Sequence, residues 1–204
     1  MKVIAIASGK GGSSKSTLTA SLAVIAASEG DSVAMIDLNR GQSTLTTWAE
    51  RRGGDNPQLV DGIKSLLADV RAIRASRQVD WLFIDTPPLP VSVIEAAVVA
   101  ADYVVIPVRT SSLDTEAVAP IVEVCGTRKR RFGFVLAAVI PSRRDLIATV
   151  ESDLEEMGEI LGRTSDKASQ VEAMAHGKAG FELDKSLRPE IARLWSAIKE
   201  KAGA

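Results

Sequence analysis

Gly9-Lys10-Gly11-Gly12-Ser13-Ser14-Lys15-Ser16-Thr17 lies between an apolar run at residues 3–7 and a helical pattern over residues 16–28. A glycine-rich turn carrying Lys-Ser-Thr at a strand-to-helix junction is where a phosphate loop must sit. Gly11 and Gly12 let the main chain approach phosphate oxygens, while successive amides and the helix N-terminus receive the negative charge. Lys15 adds a point charge, and Ser16 is placed to ligate magnesium through its hydroxyl. Ser13, Ser14 and Thr17 complete the expected phosphate-binding set. The competing reading is a glycine-rich surface turn, which leaves the Lys-Ser-Thr at the helix start unexplained.

Outward from this loop, short β-branched apolar runs alternate with longer helical patterns, the signature of a parallel sheet covered by helices on both faces. Strands are expected at residues 3–7, 32–36, 81–84, 103–108 and 134–139, with a weaker one at 58–60, five or six in all. Apolar residues recur at three- and four-residue spacing over 16–28, 62–75, 91–100, 114–125 and 146–157, which predicts helices there. Two more helices are expected at 167–176 and 188–201. The fold class is α/β, a P-loop NTPase with a mostly parallel, twisted sheet and helices on both faces. No repeat or low-complexity linker interrupts the pattern, so residues 1–204 are expected to form a single domain.

Composition supports this class. An apolar share of 46% with only 4% aromatic residues requires an interior of Ala, Val, Ile and Leu. Cys125 is the single cysteine, which excludes an internal disulfide framework and a Cys-rich metal site and suits a reducing cytoplasm. The first residues look like the start of a secretory signal, but the apolar run stops after five residues at Ser8-Gly9-Lys10 and reads as a buried strand. No stretch approaches the ~18 uncharged apolar residues of a membrane span, and no membrane partner is expected. Net charge is -1, yet Arg128-Lys129-Arg130-Arg131 and Arg143-Arg144 lie close in sequence, so a local basic face is expected.

Two acids end strands at the edge where open α/β sheets bind ligands. Ile36-Asp37 closes the second strand and leads into Leu38-Asn39-Arg40-Gly41-Gln42-Ser43, then Thr44-Leu45-Thr46-Thr47-Trp48. Trp81-Leu82-Phe83-Ile84 runs straight into Asp85-Thr86-Pro87-Pro88. The latter is a Walker B arrangement, so Asp85 is expected to support magnesium; an ordinary helix or turn cap is the bland alternative.

Lys10 stands five residues before Lys15, and with it the loop resembles the deviant Walker A motif of the ParA/MinD ATPases, written Lys-Gly-Gly-x-Gly-Lys-Ser/Thr. The resemblance spans the chain and is strongest over residues 1–48 and 79–114. It implies ATP and Mg2+ as cofactors, and a homodimer formed through bound ATP in which Lys10 reaches the partner's phosphates; the alternative is a solvated loop charge. Ser14 departs from the pattern, standing where the family has its last loop glycine and adding a Cβ and hydroxyl near the phosphates. Residues 36–48 resemble switch I, so Asp37 matches the acid that holds magnesium through water. Asn39 replaces the aspartate associated with activating the attacking water, and Arg40 replaces a proline. An amide cannot accept a proton as a carboxylate does, although it can orient water. Three readings stand open: a natural slow or non-hydrolysing member, an engineered ATP-trapping variant, or a shifted register in which another residue acts. Gln42 is the nearby group that could position water. Lys10, Asn39 and Gln42 are thus the candidate catalytic residues, and Thr86-Pro87-Pro88 resembles the entry to switch II.

Residues 105–114 resemble the family's Pro-Val-x-Pro-Ser-x-x-Asp strand and loop, which adds Pro107 to the nucleotide-binding set, while Asp114 reads as a helix cap. Residues 136–144 end where relatives contact adenine, without the usual asparagine, and the Asn-Lys-x-Asp pattern for guanine is missing. The resemblance also implies non-specific binding to nucleoid DNA through surface Arg and Lys. Candidates are residues 128–131, Arg143, Arg144, Arg163 and Lys167, with a solvated surface as the other reading. A ParB-like or other small activating partner would accompany it, in the cytoplasm on the nucleoid. Leu187, Ile191, Leu194, Trp195 and Ile198 form one face of the last helix, which is expected to pack on the domain, the alternative being a membrane-targeting tip. His176 reads as a helix-end residue. The function these features imply is a ParA-like ATPase of DNA partition or intracellular cargo positioning. The alternative is a nucleotide-dependent switch or scaffold that binds ATP but scarcely hydrolyses it. An iron-sulfur relative would need paired cysteines, and Cys125 stands alone.

Overall fold

Seven strands pair in one sheet: β1 (Lys2–Ile6), β2 (Val33–Asp37), β3 (Gln58–Leu59), β4 (Trp81–Asp85), β5 (Tyr103–Arg109), β6 (Phe132–Val139) and β7 (Ile160–Ser165). Their spatial order in this computed structural model is β3-β2-β4-β1-β5-β6-β7, and every pairing is parallel. The structure describes residues 1–39, 41–111, 115 and 117–203. The helices within them are α1 (Lys15–Ser28), α2 (Thr44–Arg52), α3 (Leu66–Ser76), α4 (Val91–Ala100), α5 (Ala119–Thr127), α6 (Arg144–Glu155), α7 (Ala168–Ala175), α8 (Gly180–Leu183) and α9 (Arg188–Ala202), with a 3-10 turn at Lys185–Leu187.

The near-continuous apolar strands follow from burial on both faces. Val3, Ile4, Ala5 and Ile6 are all 0% exposed, and because side chains alternate along a strand they feed two cores. Ile4 and Ile6 join α1, α2 and α9 on one face; Val3 and Ala5 join α4, α5 and α6 on the other. Helix α1 is apolar all round because α9 covers the side that the sheet does not. Trp195 of α9 meets Trp81 edge-on, 4.5 Å between ring centroids. The apolar face expected of the last helix packs on the domain, Leu187 of the 3-10 turn and Ile191, Leu194, Trp195 and Ile198 of α9 each being no more than 4% exposed, and no helix among the described residues is long and apolar enough to cross a membrane.

The chain moves from β1 outward to β2 and β3, returns to β4 beside β1, then crosses to β5 and continues outward. Successive crossovers thus diverge around β1, and such a reversal opens a crevice at the carboxyl ends of the strands.

The sheet exceeds the expected five or six strands. The added strand, β7, carries Gly162, Arg163 and Thr164 and is paired on one side only; an edge strand has no need of a continuous apolar run. Helices α2 and α8 were not foreseen either. Helix α3 starts at Leu66 rather than residue 62, and the helix expected over 114–125 is seen from Ala119. Asp114, read as a helix cap, lies outside the described residues. The two basic runs are not adjacent: residues 128–131 precede β6 and Arg143 and Arg144 come after it, so the 8-residue strand carries them to opposite ends of the strands.

Candidate functional site

The 9–17 loop leaves β1 at the crevice. Gly12 has φ 74° and Ser14 φ 67°, left-handed conformations that glycine adopts freely and serine does not. Ser14 is the residue before α1 and makes no side-chain cap, so its Cβ costs about 1 kcal/mol of backbone strain with no compensating contact. Lys15, only 7% exposed, turns back into the loop. Its Nζ donates to the Lys10 carbonyl at 2.9 Å and to Ser13 Oγ at 3.3 Å, and Ser13 Oγ donates to the same carbonyl at 3.1 Å. Burial depresses the Lys15 ammonium below its usual range, an effect that Asp85 partly opposes. Thr17 stands half-buried in the first turn of α1.

The two acids stand at one level. Asp37 and Asp85 are cross-strand neighbours in the β2–β4 ladder, and Asp85 also faces Ile6 of β1. Asp85 is 0% exposed. Its Oδ2 accepts from Ser16 Oγ at 2.6 Å, and its Oδ1 has no partner among the described residues. Burial pushes its carboxyl up to about 7, assisted by Asp37 and countered by Ser16 and Lys15. A buried carboxylate oxygen left unmet is costly unless something else completes it. A hydroxyl and a carboxylate 2.6 Å apart beside a glycine-rich loop are oxygen donors that could hold a hard cation such as magnesium, with phosphates and water completing its coordination. Among the described residues no three His, Cys, Asp or Glu gather as a self-sufficient metal site, so a cation here would depend on phosphate oxygens.

Asp37 is fully engaged: Oδ1 accepts the Asn39 amide at 2.8 Å, and Oδ2 accepts both the Thr46 amide and hydroxyl at 3.0 Å. Thr46 was not singled out from the sequence; a Thr nine residues on carries no signal until α2 is known to start at Thr44. The Asn39 side-chain amide donates to Gln42 Oε1 at 3.3 Å, so these two expected neighbours do meet. Arg40 lies outside the described residues. Pro107 is buried inside β5 opposite Val135, two residues short of the strand's end, beneath the edge rather than on it.

Helix α2 anchors this segment to the end of the chain. Trp48 Nε1 donates to the Lys178 carbonyl at 3.0 Å and Arg52 Nη1 to the Gly177 carbonyl at 3.1 Å. Gly177 has φ 66°, and a Cβ there would fall 2.2 Å from the Arg52 nitrogen. Arg52 also pairs with Glu182 at 2.9 Å. His176 ends α7 with Nδ1 on the Glu172 carbonyl at 2.8 Å, a helix-end residue as expected.

On the other flank of the loop, Lys10, Gly11, Gly12, Arg109 and Arg143 line a cavity of about 270 Å³. Arg109, the last residue of β5, was missed; a charge directly after an apolar strand was its only signal. Of the basic residues read as DNA candidates, Arg128 pairs with Glu95, Arg163 with Glu151 and Lys167 with Asp184. Cys125 is fully buried, its thiol pushed up to about 12 by desolvation.

Residues 4–177 match the family described as the CobQ/CobB/MinD/ParA nucleotide binding domain. Protein ParA of Rhizobium radiobacter is 30% identical over 118 residues, a match that spans 56% of this chain and about half, 51%, of that curated relative. The MinD cell division protein of Aquifex aeolicus superposes with a TM-score of 0.82 at 19% identity, over 98% of this chain and 97% of its own. A plasmid partition protein of Borrelia burgdorferi, bound to AMPPNP, gives 0.81 at 19% identity over 98% and 99% of the two chains. At such identities the likeness to solved structures is one of fold, the P-loop NTPase fold.

Proposed function

This chain belongs to the CobQ/CobB/MinD/ParA nucleotide binding domain family, and from that premise we propose that it is a ParA-like ATPase of DNA partition or cargo positioning. ATP and magnesium bind at the 9–17 loop, two copies close around the nucleotide, and the dimer adheres to DNA without sequence preference. A small partner protein then stimulates hydrolysis and release. The observation that carries this reading is the Ser16–Asp85 contact at 2.6 Å, with the second Asp85 oxygen buried and unmet. Magnesium bound there would neutralise charge on the phosphates. Ser16 supplies its hydroxyl as a ligand, and Asp85 and Asp37 hold the surrounding water. Lys15 exchanges the Lys10 carbonyl for phosphate oxygens, and the amides of residues 11–15 cradle them. Lys10 serves the partner's phosphates.

A second reading, a nucleotide-gated switch that scarcely turns over, is supported by the amide-to-amide contact of Asn39 and Gln42, neither of which can take a proton as a carboxylate does. Phosphate release with and without DNA separates the two. Steady release that DNA and partner accelerate supports the ATPase; nucleotide carried through purification without release supports the switch. Failure to bind ATP in either form would sink both.

A further inference from the structure

We propose that the cavity at the amino-terminal ends of β5, β6 and β7 is a second binding site, built for the phosphate of a small phosphomonoester with an apolar or aromatic body. It lies at the far edge of the sheet from the 9–17 loop, about 20 Å away along strands of six to eight residues, and it takes no residue from the nucleotide crevice.

The cavity holds about 450 Å³. Tyr103, the first residue of β5, and Phe132, the first of β6, give it two rings, and Met157 extends the apolar wall. The backbone is cleared for both rings: a Cβ at Gly133 would fall 2.6 Å from the Tyr103 hydroxyl, and one at Gly158 would fall 2.8 Å from the Phe132 ring. Three cations, Arg130, Arg131 and Lys201, face a single carboxylate, Glu159, which leaves the wall a surplus of two positive charges. Lys201 pairs with Glu159 at 2.8 Å, whereas neither Arg130 nor Arg131 forms an ion pair among the described residues. Arg130 is set in place by the end of α5. Its amide donates to the Cys125 carbonyl at 2.8 Å and that of Lys129 to the Gly126 carbonyl at 3.1 Å. This helix stop puts Lys129 at φ 52°, the left-handed position that glycine usually fills.

What the wall lacks is an acceptor. Among the described residues four buried side-chain nitrogens or oxygens have no partner, and two of them, Tyr103 Oη and Arg130 Nε, belong to residues of this cavity. Tyr103 is only 2% exposed. Burial first, and then Glu159, push its hydroxyl up against the opposing pull of Arg131, so it stays protonated and can donate; a guanidinium Nε can only donate. Buried donors are almost always met, and two of them in one cationic wall call for an oxyanion. A phosphomonoester carries about -1.5 to -2 charges at neutral pH, which answers the surplus, and it accepts several charge-assisted hydrogen bonds at once. Neither donor is reached by solvent, so entry requires side chains to move aside. Arg131 and Glu159 are exposed, and Lys201 can exchange Glu159 for the phosphate. Donors this deep beside aromatic rings suit a small molecule that enters the fold better than a phosphate on the ridge of a duplex.

The probe is phenyl phosphate, titrated into the full chain without nucleotide and followed by calorimetry and by amide NMR shifts. The expected result is saturable binding that moves the amides of Tyr103, Gly133 and Glu159 and that Lys15→Ala leaves unchanged. Arg130→Gln lowers the affinity about tenfold or more, as for loss of a charge-assisted contact. Glu159→Gln raises it severalfold because the competing carboxylate is gone, a direction that a merely structural residue would not give. Tyr103→Phe lowers affinity about three- to tenfold, yet leaves the Tm of the unliganded protein unchanged or higher, since it deletes a buried hydroxyl that bonds to nothing. Circular dichroism confirms that the variants are folded. No binding at phenyl phosphate concentrations on the order of millimolar would overturn the proposal. So would binding abolished by Lys15→Ala, which assigns it to the 9–17 loop, or weaker binding by Glu159→Gln. A lowered Tm of Tyr103→Phe with unchanged affinity would make the hydroxyl structural and overturn it too. Shifts at this site produced by duplex DNA and not by phenyl phosphate would assign the arginines to nucleic acid instead.

Discussion

Residues 9–17 and residues 37–46 hang from the same edge of the sheet and are built differently. In the loop, Lys15 is buried, Ser13 and Lys10 receive it, and Ser16 is bonded to a carboxylate that no solvent reaches. In the other segment Asp37 is fastened to the amides of Asn39 and Thr46 and to the Thr46 hydroxyl, and beyond it the half-exposed Asn39 and the exposed Gln42 meet through a turn hydrogen bond of 3.2 Å and a side-chain contact of 3.3 Å. The loop is continuous with the core, whereas the 37–46 segment is tied at its base and through one local turn. The proposed function assigns nucleotide binding to the first segment and the attacking water to the second, so it requires the two to be separable by mutation.

The largest expected effect attacks the loop. Lys15→Ala removes a charge-assisted phosphate contact of about 1.5–3 kcal/mol, so ATP affinity falls about 10- to 150-fold, measured by titration calorimetry. Wild-type affinity in that variant would place the phosphates elsewhere. Asn39→Asp addresses the other half: restoring a proton acceptor raises kcat about tenfold or more while ATP affinity shifts less than about threefold. An unchanged turnover rate would show that this segment does not limit hydrolysis and would break the comparison. Ser14→Gly relieves a left-handed serine worth about 1 kcal/mol, part of which is returned as unfolded-chain entropy, so Tm rises by about 1–3 °C. A fall in Tm would mean the serine stabilises the loop.

The smallest effect concerns the base of α2. Burial favours a neutral Glu182, but hydrogen bonds from Arg52 and the Ala179 amide outweigh it and hold the carboxyl below its ordinary value of 4.5. A depressed carboxyl contributes stability above its unfolded value and loses it as pH falls through the folded one. Glu182→Gln should therefore lower Tm by about 1–3 °C at pH 7, in keeping with a partly exposed pair, and the gap to wild type should close below about pH 4. A gap that persisted into acid would assign the loss to packing instead.

Much of this edge was legible because it is local. Loop 9–17, Asp37 and Asp85 are each announced by a strand that stops and a residue type that comes next, and the five central strands by apolar, β-branched runs. What escaped was fixed by partners far along the chain. Helix α2 has only Leu45 and Trp48 to bury, and its hold on residues 177–182 comes from Trp48 and Arg52. Thr46 matters only because α2 turns it toward Asp37. Edge strand β7 needs little apolar character. The αL state of Ser14 was not written in its own chemistry, since serine prefers otherwise; it is imposed by a loop that must turn between β1 and α1.

The ladder that sets Asp37 against Asp85 also carries Ala34 against Leu82 and Ile36 against Ile84. Side chains alternate faces, so a slip of one residue in β4 would send the residues of each core into the other and set Ile84 or Thr86 at the level of the carboxylate. The distance between the two acids is thus indexed by greasy residues that never meet a ligand. This scaffold can accept longer or shorter connections beyond its strand ends, while one codon gained or lost inside β2 or β4 would disable chemistry and folding in a single stroke.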